Sequence, residues 1–534
     1  MRLPYAHTLA CALGAFTFVL PPAGQAIITI GSDIELEGFV QAQNILRTPK
    51  FESSEFIMQR NTAQLEGKYN FARRGELFNR YDAGPLEEAT LTLIGRGVYD
   101  SIYDVRSSYD DAYKGESKKN IGYEYKLREA FVDLLLPPFS LRLGRQQVVW
   151  GETDNFRALD VINPLDLSWH WARESWEDIR IPLWMARGIY DIGKIGPFEE
   201  SFVEAVYIPA DFKRNKVATD PRRPWAFTGV GLNESANSVI IDNQLYNLNV
   251  IARDRSPGRQ LENGQGGARF KAIWGNIDFS LNYFYGFSAD TGVRNRNDLS
   301  WTAGDTYNAV IDLVNPRSHV LGLTANYSEE RYTQAVFRLE TTFTTGVPVK
   351  VAADAPASVD RNGDQYDEAR RTVVMLAIDR PTWIPLLNKT RTFFLSSQIF
   401  WRRWIDYSSW YRGVPGVWQA RLNGQDVPGR YISETTDEID QNEFVLTFAA
   451  STAYGPAGLI KPTFVFAIDP RSTGAYNRFQ LEYLYSNHIV LRLQQDLYWE
   501  INDNDPGPWG LGDVWGHDTS QSRHETIFSV IYQF

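Results

Sequence analysis

An all-β chain closed into a transmembrane antiparallel barrel of about 18 strands, with about 16 as the alternative count, is the fold class this sequence predicts. Three observations carry the prediction. Apolar and polar residues alternate through long segments, short and long connections alternate along the chain, and the final segment ends on an aromatic residue.

The elements follow in chain order. Arg2, the apolar run 9–20 and the small residues Gly24 and Ala26 predict a signal peptide over 1–26, which leaves one barrel domain over 27–534. That apolar run is too short to span a bilayer, which takes about 20 residues. Cys11, the only cysteine, lies in this leader, so the remaining chain has neither a disulfide nor a thiolate metal site. A net charge of −11 offers no basic surplus to neutralise phosphates and excludes nucleic acid as a partner.

Alternation is explicit in three segments. In HIVLRLQQDLYW, Ile489, Leu491, Leu493, Leu497 and Trp499 share one face, and Arg492, Gln494 and Asp496 share the other. In IDFSLNYFYGF, Ile277, Phe279, Leu281, Tyr283, Tyr285 and Phe287 oppose Asp278, Ser280 and Asn282. In AVFRLETTF, Ala335, Phe337, Leu339 and Phe343 oppose Val336, Arg338, Glu340 and Thr342. Period-2 alternation describes an extended strand with two unlike faces. Soluble sandwiches alternate too, but their strands usually run about 5–6 residues. Segments of about ten residues with charges in mid-strand and aromatics near their ends suit a tilted bilayer crossing instead.

Strands are expected near 35–44, 55–70, 87–100, 123–136, 139–149, 184–193, 199–209, 265–274, 277–288, 317–327, 332–343, 370–380, 391–402, 442–453, 459–468, 476–486, 488–499 and 524–534. Connections such as Pro137-Pro138, Gly275-Asn276 and Asn487 are short. Those at 150–183, 210–264, 289–316, 344–369, 403–441 and 500–523 are long. Short periplasmic turns and long extracellular loops produce this rhythm and place both chain ends in the periplasm. Two connections depart from it: 71–86 is long for a turn, and 469–474 is short for a loop.

The last strand places Thr526, Phe528, Val530, Tyr532 and Phe534 on one face, expected toward lipid, and Ile527, Ser529, Ile531 and Gln533 on the other. Phe528, Val530, Tyr532 and Phe534 look like the C-terminal signal of outer-membrane barrels. The likeness implies the barrel-assembly machinery as a partner and pairing with the first strand at closure.

The functional candidates concentrate in 141–193. This segment carries Trp150, Trp169, Trp171, Trp176 and Trp184 among Asp154, Arg157, Asp160, Arg173, Glu174, Glu177, Asp178 and Arg180. Folded into the lumen, it would bury its rings and set both charge signs across the pore as a constriction. Folded outward, it would cap the mouth. Alternation adds Arg269, Lys271, Arg338, Glu340, Arg492 and Asp496 as pore-lining residues, which either face water or pair as a ladder of opposite charges. Arg142 and Arg145 join them, although alternation breaks around both. Lys213, Arg214, Lys216, Arg222 and Arg223 form a basic run suited to an anionic substrate, to lipopolysaccharide phosphates or to plain solvation. Asp360, Asn362 and Asp364 are spaced like the start of a calcium loop, but Arg371 stands where its closing Glu belongs, so no metal is expected beyond a weak calcium candidate. No His-Glu-x-x-His or Gly-x-Ser-x-Gly pattern occurs, so neither an enzyme nor a cofactor is expected.

Two stretches of the same segment, GRQ-x3-WG and DVINP-x-DL, hold Gly144, Arg145, Gln146, Trp150 and Gly151, then Asp160, Val161, Ile162, Asn163, Pro164, Asp166 and Leu167. Ile181 and Pro182 follow. With these residues the chain resembles the proteobacterial outer-membrane, porin-like family catalogued as domain of unknown function 1302. The resemblance implies a Gram-negative outer-membrane barrel and a porin-like channel for passive passage of small or hydrophobic solutes. It also implies an alternative, a loop-occluded barrel with an envelope-structural or lipid-transport role beside an inner-membrane exporter or lipoprotein partner.

Overall fold

The computed structural model describes residues 27–48, 54–106, 122–153, 156–168, 175–217, 238–296, 300–302, 304–413, 416–434, 438–471, 474–500, 511 and 524–534. The expected leader 1–26 lies outside them. Eighteen antiparallel strands close into a barrel. They are β1 (Ile34–Arg47), β2 (Glu55–Arg73), β3 (Glu88–Asp100), β4 (Tyr123–Leu136), β5 (Phe139–Gln146), β6 (Leu183–Asp191), β7 (Glu200–Ile208), β8 (Gln265–Trp274) and β9 (Ile277–Phe287). They continue as β10 (Arg317–Glu329), β11 (Ala335–Val351), β12 (Tyr366–Thr382), β13 (Phe393–Trp404), β14 (Asn442–Ser451), β15 (Ile460–Ile468), β16 (Gly474–Leu484), β17 (Ile489–Glu500) and β18 (Glu525–Gln533).

Each strand pairs with the next, and β18 returns to β1 in a register from Phe39↔Gln533 to Arg47↔Glu525. The seam is completed at the short-turn end, where the Gly38 amide donates to the Phe534 carbonyl at 2.8 Å and the Phe534 amide to the Gly38 carbonyl at 2.9 Å. A Cβ at Gly38 would stand 2.4 Å from the Gln64 carbonyl oxygen and 3.1 Å from the Phe534 ring, so the seam needs glycine there.

The outer face is apolar and open. Leu281, Leu321, Leu376, Leu493, Phe528 and Tyr532 are all exposed. The inner face differs from the expected polar lining. Met375, Phe400, Val445, Val465 and Ile527 are buried and join Ile45, Ile57, Ile102, Tyr103, Phe156 and Leu511 in one apolar cluster inside the barrel. A barrel of this strand number has room for a lumen, and here side chains fill part of it. Segments such as VVMLAI and FVLTFAA are apolar on both faces because one face meets lipid and the other this cluster.

Several boundaries need correction. β11 and β12 run on into the expected loop 344–369, because Val347, Val349, Val351, Ala369, Trp404, Tyr411 and Ile439 form an apolar cluster that repays continued pairing. The long connections 210–264 and 289–316 are not plain loops. They supply Ser238–Ile241, Gln244–Asp254, Gly292–Asn295, Ser300–Thr302 and Thr306–Val314 to a separate five-stranded sheet. The long turn 71–86 contains the small pair Glu76–Leu77 and Tyr81–Asp82.

Candidate functional site

The segment between β5 and β6 leaves the wall at the first motif. Gly144 has φ +137°, and a Cβ there would lie 2.2 Å from the Ala130 carbonyl oxygen and 2.6 Å from Phe131 Cα. Only glycine lets the two backbones approach so closely. Gln146 is fully buried and its amide donates to the Met185 carbonyl at 3.1 Å, which ties β5 to β6 at the exit point.

Arg145 is a correction to the pore-lining set. It shares the parity of Leu143 and stands opposite Trp184, both exposed on the apolar outer face. There its Nη1 donates to the Leu127 carbonyl at 3.0 Å and its Nε to the Pro182 carbonyl at 3.4 Å. A charge at an outward position is what made this facing unreadable, since the pairing of β5 runs through Gly144 without a register shift. Arg142 faces inward, bonded to Asp133 at 2.6 Å and lying 4.1 Å over the Phe131 ring.

Beyond the exit the chain crosses the barrel interior. Trp150 is buried and donates its Nε1 to Glu204 on β7 at 3.0 Å, with its ring edge-on to Phe284 of β9. Gly151 sits where a Cβ would meet the Asp160 amide at 2.8 Å. Glu340 on β11 then receives two backbone amides, Glu152 at 2.6 Å and Leu159 at 2.5 Å. Leu159 fills the space beside Gly322 of β10, and Phe156 packs edge-on against Phe400 of β13 at 5.3 Å. A segment that touches the inner faces of β7, β9, β10, β11 and β13 lies inside the barrel.

The second motif holds the return path. Asp160 accepts Arg180 Nε at 2.7 Å and lies 3.5 Å from Arg157. Asn163 is fully buried. Its Oδ1 accepts the Val148 amide at 2.8 Å and its Nδ2 donates to the Ile181 carbonyl at 2.9 Å, so one side chain clips the outgoing and returning strands together. The Pro164 carbonyl accepts the Ile181 amide at 2.7 Å. Ser175 caps the short helix Trp176–Ile179 through the Asp178 amide. Asp178 then bonds Arg96 of β3 at 2.8 Å. Burial pushes the Asp178 carboxyl up, but Arg96 and Arg128 outweigh it and hold the group below its ordinary value. Asp166 is lowered in the same way, by Lys216 and Ser168 against burial.

The remaining candidates line the inner wall in pairs. Arg269 bonds Glu204 at 2.6 Å, and Arg187 bonds the same carboxylate at 3.0 Å. Lys271 reaches Asp278 at 2.9 Å and Glu152 at 3.6 Å. Arg338 bonds Asp379 at 2.6 Å and the Glu152 carbonyl at 2.7 Å. Arg492 meets Glu482 at 3.0 Å, and Asp496 is buried against Arg478 at 3.0 Å. Asp154 and Arg173 lie outside the described residues, as do Trp169 and Trp171. In the calcium candidate, Asp360 spends its carboxylate on the Asp364 and Gln365 amides, both at 3.0 Å, and Asp364 lies 3.7 Å from Arg294. Among the described residues no three carboxylate or imidazole groups gather as a metal site. Lys213, Arg214 and Lys216 pair with Asp211, Asp254 and Asp166.

Sequence reasoning missed Glu204, Arg96, Arg128 and Asp379. A charge standing alone in an apolar strand, as in SFVEAVYI, is the signal that could have found Glu204, and the carboxylate that ends the apolar run VVMLAI could have found Asp379.

A family model described as "Protein of unknown function (DUF1302)" matches residues 25–534. No curated protein matches. Among solved structures, Pseudomonas aeruginosa OccK2 (OpdF), solved in complex with glucuronate, aligns at 10% identity and TM-score 0.45, over 94% of this chain and 98% of that one. Acinetobacter baumannii OccAB3 aligns at 9% identity and TM-score 0.43, over 94% of this chain and 100% of that one. OccAB4 from the same organism aligns at 8% identity and TM-score 0.44, over 96% and 99%.

Proposed function

Since the chain belongs to the DUF1302 family, we propose that it is a porin-like, passive channel of the Gram-negative outer membrane for small or hydrophobic solutes. One observation carries the reading: an apolar cluster on an inner face that otherwise carries paired charges. Met375, Phe400, Val445 and Val465 point inward beside Phe156 of the crossing segment, and Trp150 packs in a second apolar cluster with Val206, Phe284 and Val320. A water-filled pore has a polar interior, whereas an apolar lining favours solutes that shed their own hydration cheaply. The crossing segment is the constriction, held to the wall by Glu340 and Glu204.

The outer face meets lipid and lipopolysaccharide, and the seam strand is the part handed to the assembly machinery. A second reading, an occluded barrel that serves the envelope or an exporter partner, draws on the same burial, because side chains at essentially zero exposure leave no standing passage.

Conductance in planar bilayers, paired with liposome uptake of an apolar and a polar solute, separates the two. The channel reading expects single-channel steps that grow when Glu340→Gln loosens the segment, and faster entry of the apolar solute. A refolded protein silent in both assays, with and without that substitution, supports the occluded barrel.

A further inference from the structure

The barrel wall is incomplete on one side. β5 pairs with β4 only from Ala130 onward, so residues 123–129 have a strand neighbour on the β3 side alone. Apart from Arg145, whose guanidinium bridges the Leu127 and Pro182 carbonyls, the outer surface of this gap is apolar: Tyr125, Leu127, Val149 and Trp184 are all exposed. Tyr125 and Leu127 alternate with Lys126 and Arg128, which face inward. Directly behind the gap, Lys126, Arg128, Arg96 and Arg60 line a tight cavity with Glu124, Asp166 and Asp178. Four cations face three carboxylates there, so the lining carries one positive charge in excess. The buried Nε of Arg96 has no hydrogen-bond partner among the described residues.

What closes the gap from inside meets β3 and β4 through exchangeable polar bonds, while Asp160, Asn163 and Pro164 anchor its Arg180 and Ile181 end. Asp178 bonds Arg96, and Arg128 donates to the Glu177 and Arg180 carbonyls. An incoming carboxylate can take the place of Asp178 on Arg96 with one ion pair exchanged for another. An apolar doorway backed by one surplus cation fits a molecule with an apolar chain and a single anionic head.

We propose that the gap beyond the end of β5, between residues 123–129 of β4 and the returning arm of the crossing segment, is a lateral portal for amphipathic monocarboxylates. The head group is taken by Arg96, Lys126 and Arg128 while the short helix Trp176–Ile179 swings inward, and the chain leaves between Leu127 and Trp184 into the membrane. The inference rests on the channel reading and adds to it a solute class and a route.

The test is photocrosslinking in the full-length protein in proteoliposomes. A photoreactive residue replaces Leu127 at the gap or, as control, Leu321 on the fully paired wall, and the probe is radiolabelled dodecanoate. Labelling at Leu127 should exceed that at Leu321 by about ten-fold and be competed by unlabelled dodecanoate. Lys126→Gln should weaken that competition by about ten-fold while leaving labelling by dodecanol unchanged, and Lys126→Arg should restore it. Equal labelling at both positions overturns the portal. So does competition by phosphatidylglycerol alone, which assigns the surface to membrane lipid. A Lys126→Gln protein that weakens dodecanol and dodecanoate alike overturns the role of the head group. Conductance of the same samples keeps the two readings apart: saturable labelling with no conductance sinks the channel and leaves the portal.

Discussion

β4 and β11 both overshoot a neighbour at the long-loop end. Residues 123–129 rise past β5, and residues 345–351 rise past β10. The two overhangs are finished differently. On β11 the pairing continues with β12, Tyr411–Arg412 adds a further pair, and Val347, Val349 and Val351 bury against Trp404 and Tyr411. The free edge of that region is covered as well, since the Asn295 amide donates to the Asp364 carbonyl and Gly292 sits against Pro348 and Tyr366. On β4 a side chain does this work: Arg145 caps the Leu127 carbonyl, and the segment behind, with Leu165, Leu167, Trp176 and Ile179 in a small apolar cluster, fills the rest. An unpaired edge is a liability that proteins normally cover. One overhang is finished by strand pairing over an apolar cluster, and the other by side-chain bonds to the crossing segment.

The comparison can be broken at several points. The largest effect belongs to Gly144→Ala. The added Cβ collides with fixed backbone on β4, so the cost should exceed about 3 kcal/mol and the folded, heat-modifiable band on a denaturing gel should largely vanish. Next comes Glu340→Leu, which strands the Glu152 and Leu159 amides at about 1–3 kcal/mol each. Its expected signature is a barrel that still forms but conducts more and admits protease to 147–182. Val349→Ala on the tall side should cost about 1–3 kcal/mol in unfolding experiments while leaving conductance unchanged. If it alters conductance as strongly as Glu340→Leu, the two overhangs do not differ in the way described.

The smallest expected effect is a pH dependence. Asp178 titrates below its ordinary value in the folded protein, so its contribution is complete above about pH 4 and is lost as pH falls through the lowered value. Gating noise in planar bilayers should therefore rise on acidification below about pH 4. Asp178→Asn should show the raised noise already at neutral pH, with no further change on acidification.

Much of the wall was legible in the sequence because a membrane strand must alternate. The segment IDFSLNYFYGF was expected at 277–288 and forms β9 over Ile277–Phe287. The inner face was harder, because Met375 and Val445 meet apolar partners where alternation leads one to expect water. Only the crossing segment and its neighbours explain them, and those partners come from distant parts of the chain. The motif residues stood out through their types. Their tasks did not, because Asn163 clipping Val148 to Ile181 and Gly151 making room for Asp160 are visible only once both arms of the segment lie side by side. Arg145 misled for a local reason: it puts a charge at an outward-facing position of a strand whose register is unbroken.

The seam between β1 and β18 makes the barrel a belt with a buckle. Its two halves lie at opposite ends of the sequence, with Phe39 against Gln533, while every other joint in the wall links strands that follow one another. Hairpins can therefore form early and locally, but the ring gains its last bonds only by bringing the most distant residues of the chain together, the slowest kind of contact to make. Until then two bare edges are exposed, each ready to pair with another copy. Gly38 and Phe534, which fasten the end of that seam, accordingly govern how long the unfinished sheet spends at risk of aggregation.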